Sequence, residues 1–583
     1  MTAGALPAGW PAMTIEQANA RLSAPGARFE TLELTIGGIR TQVWKNCPPT
    51  LREVFLAGCT FPQREFLVYE NDRATFAAFA RAVATLAHEL QARGVRKGDR
   101  VAVVMRNLPE WPAAFFAAAL VGAIVTPLNA WWTGPELEYG LIDAGVKVAF
   151  VDTERFERLK EHFPNCRDLE RVYVCRESEE VADPRVIKLE SVIGAVNDWG
   201  LLPERALPDV PLAPEDDATI FYTSGTTGKP KGALGTHRNI TTGIFTAAAV
   251  AARAFLRRGV TPPDPATLPQ RISLLAVPLF HVTGCNASMV PAVFSGGKLV
   301  LMRKWDTEKA LQLIERERVT LAGGVPTIAW QLIEHPSRTR YDLSSIEQIG
   351  YGGAPSAPEL VRRIIETFPK SLAGNGWGMT ETSASFSGNT SEDYINKPAS
   401  CGPAPIVGAM RVMNADGTRE LPAGEVGELW ARGPMVVKGY WNNPQATAQT
   451  FIDGWLRTGD IARIDADGFC YIVDRAKDML IRGGENIYCI EVENVLFEHP
   501  AVMDAALVGI PHRVLGEEPG AVVQLKPGAT ATEDELRGWV ASRLAAFKVP
   551  VRVVFRRDTL PRNPAGKILK NELKGAFKTL THL

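Results

Sequence analysis

The apolar run at residues 218–222 opens directly into Thr-Ser-Gly-Thr-Thr-Gly-Lys-Pro-Lys-Gly, and a helical pattern follows over His237–Arg257. A β-rich run feeding a glycine-rich turn ahead of a helix steers a chain towards α/β architectures, with the turn at the carboxyl end of a strand. Thr236 is placed to cap the helix. Glycines let the backbone approach a ligand closely, amides and hydroxyls donate, and lysines bring charge, so the turn suits phosphate. It is not the common P-loop, because Gly225 and Gly228 stand too close together and Pro230 follows Lys229. Taken alone, the turn fits a polar surface loop equally well.

The chain has 583 residues, so more than one domain is expected. A net charge of −1 argues against general nucleic-acid binding. Eight scattered cysteines without a CxxC pair fit a reducing, cytoplasmic setting rather than a disulfide framework or zinc site. The N-terminus shows no signal-peptide pattern. Residues 111–132 carry no charge and have tryptophan at both ends, like a membrane span. Gly122 and Pro127 interrupt the run, which reads better as a buried helix over 112–121 and a short strand over 123–126.

From about residue 66, short apolar runs alternate with amphipathic helices, which predicts parallel sheet covered on both faces. Further strands are expected to end at residues 278–281, 323–326 and 351–355, and successive strand ends carry glycines. Each alone is an ordinary tight turn, but together they would open a cleft beside the first loop. From about 397 the texture turns to short strands rich in Pro, Gly and Val, expected as a barrel-like subdomain. The expected fold is α/β. A large N-terminal domain over 1–475, with the barrel-like part at about 397–475, precedes a small α+β domain over 476–583. Residues 1–60 receive no function.

Within this frame, Glu381 is a hard-oxygen ligand suited to Mg²⁺ on a polyphosphate, with Thr380 beside it. Asp460, in Arg-Thr-Gly-Asp, could accept from both ribose hydroxyls or simply cap its own turn. Arg475 is a second ribose or phosphate candidate, or a surface ion pair. Residues 541–583 carry ten lysines and arginines against two acids, which suits a polyanion or a solvated face.

The stretches YTSGTTGKPKG, GGAP, GWGMTE, RTGD, DRAKDML, GGENI and PRNPAGK, in this order over about 66–570, resemble the adenylate-forming superfamily of acyl- and aryl-CoA synthetases, luciferases and peptide-synthetase adenylation domains. PLFHVTG and GGENIYCIEVE bring the chain nearest to CoA ligases of fatty or aryl acids. The resemblance implies ATP and CoA as co-substrates with Mg²⁺. It implies that Thr223, Ser224, Gly225, Thr226, Thr227, Gly228 and Lys231 hold the ATP phosphates. Gly353, Ala354, Asn375 and Gly376 would frame the adenine and the acyl adenylate. Thr380 would touch the α-phosphate and Glu381 would bind Mg²⁺, while Asp460 and Arg475 would hold the ribose. Lys477 matches the hinge of a mobile C-terminal domain, and Lys567 the lysine that meets the carboxylate and α-phosphate. Gly483 and Gly484 would line the pantetheine entrance. Related plant ligases carry lysines where this chain has Ile481-Arg-Gly483, and Arg482 is the candidate substitute.

The implied reaction is acid + ATP → acyl-AMP + pyrophosphate, then acyl-AMP + CoA → acyl-CoA + AMP. The acid pocket is expected among His281, Val282, Gly284, Gly324, Tyr351, Gly352 and Met379, with His281 open to a second reading as a packed core histidine. No charge marks that wall, which points to a medium- or long-chain fatty acid or a bulky aryl acid. Other readings are an acyl-AMP ligase that loads a carrier protein, a luciferase-like enzyme, and a non-catalytic nucleotide binder. A homodimer is a further expectation.

Overall fold

The computed structural model describes residues 6–179, 181–223, 229–353, 358–563 and 566–580, with the backbone alone for 578–580. Among the described residues, two eight-stranded sheets carry most of the chain. The first runs, edge to edge, through Gly439–Tyr440, Gly232–Thr236, Asp217–Tyr222, Ile124–Pro127, Arg100–Val104, Val146–Asp152, Arg171–Cys175 and Val186–Lys188. The second runs through Ala384–Thr390, Leu372–Met379, Gln348–Gly352, Leu321–Gly324, Ile272–Leu275, Lys298–Leu301, Glu65–Tyr69 and Asp72–Thr75. Both have parallel interiors; the second is antiparallel at both edges, whereas the first is antiparallel only at its Gly439–Tyr440 side and ends in the parallel strand Val186–Lys188. Strands such as Val101–Val104 and Val148–Val151 are buried on both faces, so their sequences are continuously apolar rather than alternating.

The apolar stretch after residue 110 becomes the helix Glu110–Leu120, with all of its residues buried, and then the strand Ile124–Pro127. At 1.5 Å per residue that helix is about half the length needed to cross a bilayer. Among the described residues, only His237–Arg257 is long and apolar enough for a span, and 67% of its apolar window is buried inside the protein.

Two local readings need correction. The phosphate-type loop does not run straight into a helix: the strand Gly232–Thr236 pairs antiparallel with Asp217–Tyr222 first. Its two glycines hide its β character, yet a Cβ on Gly232 would come within 2.6 Å of Ile220 Cγ2. The helix then begins at His237, where Thr236 Oγ1 accepts from the Asn239 amide (3.2 Å) and Asn239 Oδ1 from the Thr236 amide (2.7 Å). Asp460, expected in a tight turn, lies inside the strand Trp455–Ile464. Register there jumps from Arg457↔Trp430 to Ile461↔Glu428, a bulge containing Gly459 at φ 69°. That bulge hides the strand from its sequence and puts Asp460 opposite Arg475.

The half-barrel sheet runs Gly402–Pro403, Phe469–Arg475, Trp455–Ile464, Gly427–Arg432, Ala409–Met413. Beyond it, Glu485–Ile487, Leu480–Arg482, Gly516–Leu525 and Val502–His512 form a further sheet, with Arg552–Arg556 parallel to Gly516–Leu525. The helices Cys489–Phe497 and Glu533–Ala541 supply Val492, Leu496, Leu536 and Val540 to the core of this sheet.

Candidate active site

The carboxyl ends of the two large sheets, the half-barrel and the C-terminal segment enclose a cavity of about 1470 Å³. Thr223, His281, Asn375, Gly376, Gly353, Asp460, Arg475, Lys477 and Lys567 all line it. Residues scattered over 345 positions of sequence thus reach one space. Ser224, Gly225, Thr226, Thr227, Gly228 and Ala354 lie outside the described residues.

The neck of the glycine-rich loop is closed by Thr223 N–H donating to Lys231 O (2.8 Å) and Lys231 N–H donating to Thr223 Oγ1 (3.3 Å). Lys231 Nζ lies 4.6 Å from the centre of the Tyr440 ring. Tyr440 also donates its hydroxyl to Glu381 Oε1 (2.7 Å). It is held there because the strand Gly439–Tyr440 pairs with Gly232–Thr236. One side chain therefore links the loop lysine to the candidate metal carboxylate. Sequence reasoning missed it, since a lone tyrosine between Gly439 and Trp441 carries no signal of its own. Tyr440→Phe keeps the ring and loses the hydrogen bond to a charged group. We expect roughly a tenfold loss in adenylation efficiency and a higher Mg²⁺ requirement, read from pyrophosphate release against Mg²⁺ concentration.

Glu381 is 6% exposed and sits in the turn Thr380–Thr382 between the strands Leu372–Met379 and Ala384–Thr390. Thr382 Oγ1 accepts from the Met379 amide (2.9 Å) and fixes that turn. Ser383 and Ala384 follow with φ of 54° and 114°, a conformation that costs of order 1–3 kcal/mol per residue. A Cβ on Gly378 would stand 1.8 Å from Ala384 O, so this hairpin tolerates only glycine there. Among the described residues, no group of three or more His, Cys, Asp or Glu could form a metal cage. A single carboxylate fits Mg²⁺, which takes few protein ligands and keeps phosphate oxygens and water.

Asp460 is 4% exposed. Its Oδ1 lies 3.3 Å from Arg475 Nε, and its Oδ2 accepts from Trp377 Nε1 at 2.8 Å. Both oxygens are thus oriented, and Trp377 is a second residue that sequence reasoning overlooked, although it stands inside GWGMTE. Trp377→Phe should raise KM for ATP several-fold with a small change in kcat, measured by acid-dependent pyrophosphate release.

Lys567 is presented by a tight hairpin. Asn563 N–H donates to Lys567 O (2.8 Å), Lys567 N–H donates to Asn563 Oδ1 (2.9 Å), and Arg562 pairs with Asp504 at 2.6 Å. Gly566 packs so closely on Val325 that a Cβ would approach its side chain to 2.8 Å. Loss of hydration, with the like charges of Arg475 and Lys477, lowers the Lys567 ammonium to about 8, partly offset by Asp460 and Glu381. His281 is held down to about 4 by burial and by Lys567. Its Nδ1 accepts from Thr283 N–H (3.2 Å), which leaves the ring proton on Nε2. Burial and Arg475 likewise lower Lys477.

Not every expected residue reaches the cavity. Of the anticipated acid pocket, His281 lines it, joined by Phe280, Pro326, Thr327 and Trp330. Val282 and Gly284 are packed inside, and the Tyr351 hydroxyl is paired with that of Tyr394 at 2.8 Å. Gly324, Gly352 and Met379 are half-buried outside the lining. Arg482, Gly483 and Gly484 also lie away from the cavity, Arg482 paired with Glu518 at 3.2 Å and the glycines at φ 59° and 91°. The basic tail is partly neutralised, by Lys548–Glu491 (2.6 Å), Lys570–Glu493 (2.7 Å) and Arg562–Asp504 (2.6 Å) among others.

This geometry has known counterparts. The AMP-binding enzyme family matches residues 57–441, and the AMP-binding enzyme C-terminal domain matches 491–567. A feruloyl-CoA synthase of Amycolatopsis sp. is 36% identical over 505 residues, 86% of this chain and 94% of that protein. A long-chain-fatty-acid–CoA ligase of Bacillus subtilis is 34% identical over 537 residues, 88% of this chain and 92% of that protein. The anthranilate CoA ligase AuaEII, solved with anthranoyl-AMP, superposes with a TM-score of 0.80 at 25% identity, over 92% of this chain and 98% of its own. A lysine held on a hairpin, the Asp460–Arg475 pair and the neck of the glycine-rich loop in one cleft thus accompany family matches over 57–441 and 491–567. The chain belongs to the AMP-binding enzyme family, among its adenylate-forming acid–CoA ligases.

Proposed function

We propose that this enzyme activates an apolar carboxylic acid, a medium- or long-chain fatty acid or a bulky aryl acid, and transfers the acyl group to CoA. The observation that carries the reading is the convergence of Lys567, Asp460 and Arg475 on one cavity next to a wall of Phe280, Pro326 and Trp330, with the buried Glu381 carboxylate outside the lining yet near enough for its charge to act on Lys567.

A carboxylate is a poor electrophile and must be joined to a good leaving group. Its oxygen attacks the ATP α-phosphorus, the bond to the β-phosphate oxygen breaks, and pyrophosphate leaves. Two anions meet in this step, so repulsion has to be screened. Mg²⁺ arriving on ATP would neutralise phosphate charge, with Glu381 as its protein ligand. Lys567 supplies a cation at the carboxylate and α-phosphate. Asp460, held by Trp377 and Arg475, receives the ribose hydroxyls, and the loop from Thr223 to Lys231 holds the phosphates. His281, neutral with Nε2–H outward, can donate to the acid but does not serve as a base near neutral pH. The CoA thiolate then attacks the acyl carbon and AMP departs. Lys567 fills the space that the thiol must enter, so we place a hinge near Lys477, between a domain over 1–475 and one over 476–583. Rotation there would withdraw Lys567 and could bring Arg482, Gly483 and Gly484 to the pantetheine entrance. Eight free cysteines suit a reducing compartment such as the cytoplasm.

A panel of acids from acetate to long-chain and aryl acids, assayed for AMP formation with and without CoA, tests this reading. Turnover restricted to short or charged acids would overturn the substrate class. AMP formation that never yields acyl-CoA would point to a different acceptor, such as a carrier protein.

A further inference from the structure

The cleft does not end at the adenylation residues. Along the carboxyl edge of the first sheet, Thr223 closes the strand Asp217–Tyr222, the loop after Ile124–Pro127 comes next, and Arg106 follows the strand after that, Arg100–Val104. Neighbouring strands lie about 4.8 Å apart, so Arg106 stands about 10 Å along the edge from the phosphate loop. Across the cleft, Arg303 follows Lys298–Leu301, one strand over from the one that leads to His281.

Charge at this second place is unbalanced. Asp152 and Glu154 are the carboxylates there: Arg155 pairs with both (2.6 and 2.9 Å), and Glu154 also takes Arg158 (2.5 Å) and Arg303 (3.0 Å). Arg106 is left over. Among the described residues, its guanidinium has no ion pair or hydrogen bond, and it lies 4.9 Å from the centre of the Trp131 ring. Burial and the like charges of Arg155 and Arg303 lower it to about 10, against the pull of Glu154 and Asp152. A half-buried guanidinium without a counter-ion is costly, and an anionic ligand would offset that cost. Trp131 remains 43% exposed, large for an indole. Its loop is braced from beneath, as Arg158 Nη1 donates to Trp132 O (2.9 Å) and Arg155 Nη1 to Ala130 O (3.3 Å). The same loop supplies Pro127, Asn129 and Trp132 to the main cavity, so the two places are continuous.

A rigid, exposed aromatic face beside an excess of guanidinium is suited to a planar base carrying phosphates. We propose that Arg106, Trp131 and Arg303 hold the phosphorylated adenosine end of CoA, with the base on Trp131 and phosphate oxygens on the guanidinium groups. This rests on the reading of the enzyme as a CoA ligase. It leaves the pantetheine arm to run along the cleft to the acyl carbon, and it puts the nucleotide of CoA on the large sheets rather than on the C-terminal segment.

Arg106→Met keeps the packed stem and removes a charge that nothing pairs, and Trp131→Ala alters an exposed side chain, so both should fold. The expected result is a rise of about tenfold or more in KM for CoA in each, with the loss confined to the CoA-dependent step and acid-dependent pyrophosphate release without CoA retained. The wild type should also prefer CoA to 3′-dephospho-CoA, and Arg106→Met or Arg303→Met should shrink that preference. Unchanged KM for CoA in both Arg106→Met and Trp131→Ala, in a wild type that makes acyl-CoA, would overturn this site alone. Equal loss in both half-reactions would also overturn it. A wild type that forms the adenylate and never a thioester with CoA would overturn the ligase reading and this site together.

Discussion

Replacing Lys567 by alanine is expected to lower acid-dependent pyrophosphate release by two to three orders of magnitude. Thioester formation from supplied acyl adenylate should remain near wild type. A cation that meets charge developing in the transition state, in a site shielded from water, is worth roughly 3–4 kcal/mol. Lys567 has that setting: it approaches Glu381, Asp460 and Arg475, and its hairpin is clamped by Asn563 and by the Arg562–Asp504 pair. The second half-reaction has no such need, because the adenylate is already formed and the lysine must leave. Rapid-quench measurement of the two half-reactions separates the cases, and equal loss in both would remove the assigned role. The pH profile adds an independent check. Lys567 titrates from a lowered value of about 8 in the ligand-free site, so its charge is present below that pH and lost above it. Adenylation should therefore fall on the alkaline side through an ionisation that Lys567→Ala lacks. Saturating ATP, by adding anions beside the ammonium, should move that limb to higher pH.

The parts of this site that were legible in the sequence share one property: each lies in a local run whose composition dictates its geometry. The Glu381 turn, with Gly378 before it, and Gly566 before Lys567 are punctuation that only a few backbone conformations satisfy. Parallel sheets follow in the same way from uninterrupted apolar runs. What stayed hidden depends on partners distant in sequence. Tyr440 matters because a two-residue edge strand pairs it beside residues 232–236, 59 positions from the carboxylate it touches. Trp377 reaches Asp460 across 83 positions, and the strand that carries Asp460 was obscured by its own bulge. The acid pocket was the least legible part. Glycines around residues 284, 324 and 352 suggested open space, yet they accommodate close backbone packing: a Cβ on Gly284 would meet Pro278 O at 2.2 Å, and one on Gly352 would meet Gly376 O at 2.7 Å. Small residues permit a cavity or a tight contact, and composition does not separate the two.

Glu381→Gln isolates the charge of the carboxylate from its shape. Glutamine keeps an acceptor for the Tyr440 hydroxyl and fills the same buried space, so the turn Thr380–Thr382 should persist. A neutral amide is a much weaker ligand for a hard divalent cation than a carboxylate. Adenylation should fall by about a hundredfold or more, with a Mg²⁺ requirement shifted to higher concentration. Calorimetric titration with Mg²⁺ and ATP should show weakened binding in the absence of any acid, a readout independent of turnover. Loss of this negative charge also removes one of the groups that hold the Lys567 ammonium up. The alkaline limb assigned to Lys567 should consequently move to lower pH in Glu381→Gln, the opposite direction to the shift caused by ATP. Because the carboxylate and the lysine act on the same developing charge, combining Glu381→Gln with Lys567→Ala should cost less than the product of the two separate losses. Full additivity, with an unmoved pH limb, would mean that Glu381 and Lys567 serve different steps and that the cleft does not work as a single electrostatic clamp.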